Sequence, residues 1–143
     1  MALQTGDVIE NYPYLWLRQH KAGETEGRKP RPVCVALSVK DKRGNTHLAL
    51  LPISTKAPLS NQIAIEVPQS EKRRLGVEAR VWLYVSEYNY DIAEQSFYLQ
   101  PSSELRKSLS AKFMKVVLQT FKSTLAQKPG RVSRQNWDDL IYL

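Results

Sequence analysis

The sequence predicts a mainly β protein that ends in a helix. The expected architecture is a strongly bent antiparallel barrel of five to seven short strands over residues 1–101, a long amphipathic helix over 102–128 and a tail, 129–143, packed on the same domain. Three observations predict it. Up to Pro101 the chain breaks into short apolar or alternating runs separated by Gly, Pro and Asn. Beyond Pro101 the apolar spacing lengthens from two residues to about four. The length, 143 residues, suits one domain with a single core.

Gly6-Asp7-Val8-Ile9 opens the first strand, and Tyr12 to Leu17 continues or follows it. Arg18 to Arg31 is polar, contains Gly23, Gly27 and Pro30, shows no apolar period, and reads as a long loop. Pro32 to Val39 is a strand with Val33, Val35 and Leu37 on one face and the small Cys34 and Ala36 on the other. A charged run ending in Gly44-Asn45 turns the chain back into Thr46 to Leu51, a hairpin signal. Gln62 to Val67 alternates with period two. Val81 to Tyr88 is β-branched and aromatic, and Phe97 to Leu99 is a further short strand.

Leu105, Leu109, Phe113, Val117, Phe121 and Leu125 recur every fourth residue, with Met114 and Leu118 widening the stripe. Ser102 or Ser103 suits the cap of that helix, Glu104 its positive end, and Lys128-Pro129-Gly130 its stop. The tail carries Trp137, Leu140, Ile141 and Tyr142 and is expected to pack as a last strand or turn, its residues being candidates for a dimer contact. Five to seven hairpin-linked strands and one helix fit an SH3-like barrel.

Composition narrows the function. Hydrophobic residues make up 42% and charged residues 24%, a globular mixture. The longest apolar runs, Leu48 to Leu51 and Val81 to Val85, are far short of a bilayer span. The start, Met1 to Asp7, has neither the basic nor the apolar part of a secretory signal. Cys34 is the lone cysteine, and His20 and His47 have no metal spacing. The expectation is a cytoplasmic protein with no cofactor, no metal and no membrane partner. Lys plus Arg number 21 against 14 for Asp plus Glu, a net charge of +7, which points to a polyanionic partner.

The cations cluster. From Arg18 to Arg43 there are eight basic side chains (Arg18, Lys21, Arg28, Lys29, Arg31, Lys40, Lys42 and Arg43) and three acidic ones, a local charge of +5. Lys72-Arg73-Arg74 forms a second group. Tyr12, Tyr14, Trp16, Trp82, Tyr84, Tyr88 and Tyr90 flank these regions. Cations that hold phosphates beside rings that stack on bases are what single-stranded nucleic acid needs; the alternative is a solvated basic face over an aromatic core. The expected nucleic-acid contacts are Arg18, His20, Lys21, Arg28, Lys29, Lys56, Arg73 and Arg74.

Five residues are candidates for chemistry. Arg31 lies between Pro30 and Pro32, which restrain the backbone on both sides, so its guanidinium is held to fork onto a phosphate; the alternative is a surface Arg at a strand edge. Ser54 and Thr55 end an apolar strand just before Lys56 and suit phosphate binding; the alternative is a turn whose hydroxyls bond their own backbone. Glu87 is a candidate base or base-recognition acceptor, and His20 a candidate acid or base.

Gly6-Asp7-Val8-Ile9, Lys29-Pro30-Arg31-Pro32-Val33-Cys34-Val35, Leu51-Pro52-Ile53-Ser54-Thr55, Ile63-Ala64-Ile65 and Leu75-Gly76-Val77 resemble, in order and spacing, the MazF/PemK toxin family. The resemblance covers about Gly6 to Asp91. It implies an SH3-like barrel acting as a metal-independent endoribonuclease. Such an enzyme turns the ribose 2′-hydroxyl of single-stranded RNA on the adjacent phosphate, leaving 2′,3′-cyclic phosphate and 5′-hydroxyl ends. It also implies a homodimer neutralised by a cognate antitoxin. By position, Arg31 matches the family's essential Arg, Ser54 its phosphate-side hydroxyl residue, and Thr55 the Thr after it. Ser54 stands where Thr is common, and the first loop, the helix and the tail are longer than in a minimal member. A non-catalytic binding module of the same barrel type, or a gyrase-directed toxin, is the competing expectation.

Overall fold

In the computed structural model, residues 3–96, 99, 106–127 and 130–134 are described. The elements are β1 (Asp7–Tyr12), α1 (Leu17–Lys21), β2 (Arg31–Lys40), β3 (Thr46–Ser54), β4 (Ala64–Glu66), α2 (Gln69–Leu75), β5 (Trp82–Tyr84), β6 (Glu87–Ile92), β7 (Lys107–Ser108), α3 (Ala111–Ala126) and β8 (Gly130–Ser133). They build one curled, half-barrel sheet in the order β4-β5-β3-β2-β1-β7, with β6 pairing β3 and β8. All pairings are antiparallel except β6 with β8.

The hairpin β2–β3 is the spine. Its turn uses Gly44 at φ +85°, the left-handed region that Gly enters without penalty, and Asp41 accepts the backbone amides of Arg43 and Asn45. Away from β2, β3 shares its other edge between two partners. His47 to Leu50 pair with β6, and Ile53 and Ser54 pair with β5. The chain therefore crosses from β5 to β6 at Val85-Ser86, and the single strand expected over Val81 to Tyr88 is two. On the other edge β3 keeps β2 from Thr46 to Pro52, so the change of partner is confined to this edge, where the twisted sheet bends.

The two faces of the sheet bury different sets. Cys34, Ala36, Ala49, Leu51, Ile53 and Leu83 face α3, which supplies Phe113, Met114, Val117 and Phe121. Small residues on the sheet side let the helix lie close. The opposite face packs Val33, Val35, Leu48 and Leu50 against Tyr12, Tyr14, Trp16, Tyr84 and Leu99. Leu37 leaves this set and is exposed, because a bulge between Val35 and Leu37 breaks the alternation.

Several expectations change. The helix starts at Ala111, not at 102. Lys107–Ser108 pairs with β1 instead, and Ser110 caps α3, its Oγ accepting the Phe113 amide at 3.1 Å. Glu71 of α2 holds that cap by accepting Ser110 N and Oγ, both at 2.8 Å. Leu105 and the expected caps Ser102, Ser103 and Glu104 lie outside the described residues, as do Phe97, Tyr98, Trp137, Leu140, Ile141 and Tyr142. The four-residue stripe extends through Leu109 because that residue is buried from an extended segment, not from a helix. The described residues hold eight strands, one more than the expected range, since β7 and β8 are only two and four residues long. Two short helices, α1 and α2, went unforeseen. α1 lies inside the expected loop, and α2 ends at Gly76 with φ +68°. Among the described residues no helix is long and apolar enough to cross a membrane.

Candidate nucleic-acid interface

Strand β6 exposes to the first segment of the chain a polar row that no apolar pattern announces. Glu87 Oε1 accepts the Tyr14 hydroxyl at 3.1 Å and the Leu17 amide at 3.0 Å. Asn89 accepts the Leu15 amide at 2.9 Å and donates to the Leu15 carbonyl at 2.7 Å. Asp91 accepts the Tyr12 hydroxyl at 2.7 Å. Residues two apart on one strand face thus hold the extended arm from Tyr12 to Leu17 against the sheet. The arm carries Trp16 and launches α1, whose Gln19 carboxamide accepts the Trp16 amide at 3.2 Å. Gly27 then seats the following loop on the arm, since a Cβ there would lie 2.3 Å from the Pro13 carbonyl oxygen.

These supports frame a cleft of about 500 Å³. Arg31, at the start of β2, and Ser54 and Thr55, at the end of β3, line it together with Arg18, Gln19, Arg28, Lys29, Lys56, Gln62, Trp16 and Tyr84. The arrangement follows from strand pairing. Val33 pairs with Pro52, so Arg31, two residues before the one, and Ser54, two residues after the other, come to the same end of the hairpin. Arg31 stands 5.1 Å above the Trp16 ring, with the Arg18 guanidinium 5.4 Å from the same ring. Arg31 Nε is the one buried side-chain nitrogen or oxygen among the described residues with no hydrogen-bond partner. Burial, and then the charge of Arg18, lower the Arg31 pKa from its ordinary value. Burial raises the Tyr84 phenol above its usual range, and its hydroxyl donates to the Lys56 carbonyl, which ties the loop after β3 to the cleft wall.

Of the candidate residues, Arg31, Ser54, Thr55, Arg18, Arg28, Lys29 and Lys56 meet in this one cleft. Ser54 also makes the turn contact that was its alternative, its Oγ accepting the Lys56 amide at 3.1 Å. Glu87 does not line the cleft. It is 5% exposed, spends its carboxylate on Tyr14 and Leu17, and has its pKa raised by burial. It is therefore a support for the arm rather than a group at the cleft surface.

His20 and Lys21 are exposed on α1 but do not line the cleft. Arg73 and Arg74 lie on α2, outside it, and Arg74 donates to the Ser108 carbonyl. Lys72 donates to the carbonyls of Glu78 and Ala79 and belongs to the fold. The rings expected to stack on bases are mostly interior: Tyr12, Tyr14, Trp16 and Tyr84 are each 5% exposed or less. Two of them carry cations, Trp16 under Arg18 and Arg31 and Tyr12 under Arg134. Gln19 and Gln62 were missed, because an isolated Gln in a polar segment has no pattern of its own.

No aspartate, glutamate or histidine is among the described residues lining the cleft. Beside it, sharing Ser54 and Thr55, lies a smaller apolar pocket of about 210 Å³ that includes Val8, Ile53, Leu75, Val77 and Val81. The geometry can bind an anion by several forked and point-charge donors at once and can stabilise added negative charge on it. Compared with family models, with curated proteins and with solved structures, the chain matches none.

Proposed function

We propose that this protein is an SH3-like, MazF/PemK-type endoribonuclease that binds single-stranded RNA in the Arg31 cleft. In this reading it is the toxin of a toxin–antitoxin pair, works as a homodimer, and is silenced by an antitoxin that occupies the same cleft. The observation that carries the reading is that Arg31, Ser54 and Thr55 line one cleft among further cations. The Arg31 guanidinium at the cleft is the group that a phosphate oxygen of the ligand meets in this reading. Arg18, Lys29 and Lys56 line the cleft as donors for neighbouring phosphates, while Arg28 beside them is forked onto Glu24 at 3.0 and 2.7 Å.

The reaction is attack of the ribose 2′-oxygen on the adjacent phosphorus, with departure of the 5′-oxygen. Arg31 stabilises the extra charge on the non-bridging oxygens, and Thr55 and the Ser54–Lys56 turn position the phosphate. With no carboxylate or imidazole among the described residues of the lining, the 2′-hydroxyl proton passes to a phosphate oxygen or to water, and the departing 5′-oxygen takes its proton from that phosphate oxygen or from water.

The test is incubation with a long single-stranded RNA in EDTA. Fragments with cyclic-phosphate and 5′-hydroxyl ends are expected, and intact RNA overturns the enzymatic reading. The lack of a resident proton acceptor favours a second reading, a non-catalytic RNA-binding module. Salt-dependent retention of RNA without cleavage identifies it. A homodimer mass by light scattering is expected, and a monomer at working concentration removes that part.

A further inference from the structure

Resting on the RNA reading above, we infer that Arg134 is a positioning residue for the cleft. From the end of β8 it fixes the Pro13 carbonyl, and through it the arm that sets Trp16 beneath Arg18 and Arg31. Arg134 follows β8 directly, and β8 is docked in parallel on β6, with Val132 beside Asn89 and Ser133 beside Tyr90. The Arg134 amide continues that ladder by donating to the Tyr90 carbonyl at 2.7 Å. Its side chain leaves the ladder for the arm. Nη1 donates to the Pro13 carbonyl at 2.6 Å and to Asn89 Oδ1 at 3.2 Å, and the guanidinium lies 5.5 Å from the Tyr12 ring. Arg134 does not line the cleft, so it reaches the ligand only through the arm.

Three features make Pro13 the point of control. Proline has no N–H, so its carbonyl is the one backbone hydrogen-bonding group it offers, and a guanidinium grips it more strongly than a neutral donor does. Asn89, fully buried, spends its carboxamide on the amide and carbonyl of Leu15, so the Arg134 bond to the same Oδ1 joins the Pro13 and Leu15 anchors in one network. The Pro13 carbonyl is also where Gly27 seats the loop bearing Arg28 and Lys29. One side chain thereby sets two walls of the cleft, the Trp16 platform and the Lys29 loop.

The experiment has two readouts. One is the indole N–H resonance of Trp16 in isotope-labelled protein, identified by its loss in Trp16→Phe. The other is binding of a labelled single-stranded 2′-O-methyl RNA, which cannot be cleaved through the 2′-position. Arg134→Met keeps the stem and removes every donor. It is expected to shift the Trp16 signal and to weaken RNA binding about tenfold, and Arg134→Lys, which restores a single point donor, to recover part of both. Arg131→Met is the charge-matched control on the same strand, since that guanidinium lies 4.3 Å over the Tyr90 ring and not on the arm. It is expected to leave the Trp16 signal in place and to weaken binding much less. Slow labelling of Cys34 in each variant shows that the sheet and α3 are intact; if Arg134→Met fails that check, Arg134→Lys against the wild type decides by the same readouts. An unmoved Trp16 signal overturns the inference whether or not RNA binds. A moved signal with undiminished RNA affinity overturns the link from arm to cleft, and an equal fall in Arg131→Met shows loss of charge in place of loss of position and overturns it too. Failure of the wild type to retain RNA overturns the RNA reading and leaves the Trp16 signal to decide whether Arg134 holds the arm.

Discussion

Arg31 stands over Trp16, its guanidinium 5.1 Å from the ring, two residues before the Val33–Pro52 pair of β2 and β3. The strand pairing and the arm that delivers Trp16 are separate parts of the fold, and both are needed to hold this one side chain. Arg31 is therefore positioned by backbone geometry from one side and by an aromatic platform from the other.

Arg31→Ala is expected to lower RNA cleavage by about 10²–10³. Its urea unfolding free energy should change by no more than about 1 kcal/mol, because loss of the cation–ring contact is offset by removing a desolvated, unpartnered nitrogen. Arg31→Lys keeps the charge but not the fork and should recover only part of the activity. Rates from a labelled RNA, measured beside the unfolding curves, check this. Full activity in Arg31→Ala removes Arg31 from the site.

Gly27→Ala should loosen the cleft from a distance. The added Cβ meets the Pro13 carbonyl, which is backbone and cannot rotate away, so the loop bearing Arg28 and Lys29 must lift off the arm. A stability loss of about 1–3 kcal/mol with weaker RNA binding is expected, measured by chemical denaturation and by binding titration. Gly23→Ala is the control. It has open space around its Cβ position but a φ of +95°, so it tests backbone strain without the collision.

Glu87 gives a pH signature. Its folded pKa is raised, chiefly by burial, so the folded state holds the proton more tightly than the unfolded chain does. Its contribution to stability therefore grows as pH falls through the folded pKa and levels off below the unfolded value near 4.3. The stability of the wild type relative to Glu87→Gln is expected to rise as pH is lowered from neutrality across that window. Urea unfolding of both proteins at several pH values measures the difference. A flat or opposite trend shows that the Tyr14 and Leu17 hydrogen bonds outweigh burial.

Cys34 should behave as a reporter of unfolding. It is fully buried between the sheet and Met114, and burial pushes its thiol up to about 12. A thiol reagent at pH 8 is expected to label the native protein very slowly and the urea-unfolded protein at once, with one equivalent taken up. Rapid native labelling would show that α3 opens away from the sheet.

The alternation of residues 33–36 with the Gly44-Asn45 turn was sufficient to read the spine, and the alternation of 62–67 to read β4, because side-chain period and turn chemistry are local. The restrained Arg between two prolines, and the hydroxyl pair at the end of an apolar strand, were also visible in one dimension. Tertiary structure alone decided which of the aromatic rings lie open, since period tells which face a ring is on and nothing about what covers that face. It likewise decided the fate of Glu87: a carboxylate reads the same in sequence whether it meets a ligand or, as here, a buried tyrosine and a helix amide. The late start of α3 had the same cause. Leu109 continues the helical spacing, yet the adjacent Lys107–Ser108 pairs with β1, and that distant strand outweighed the local preference.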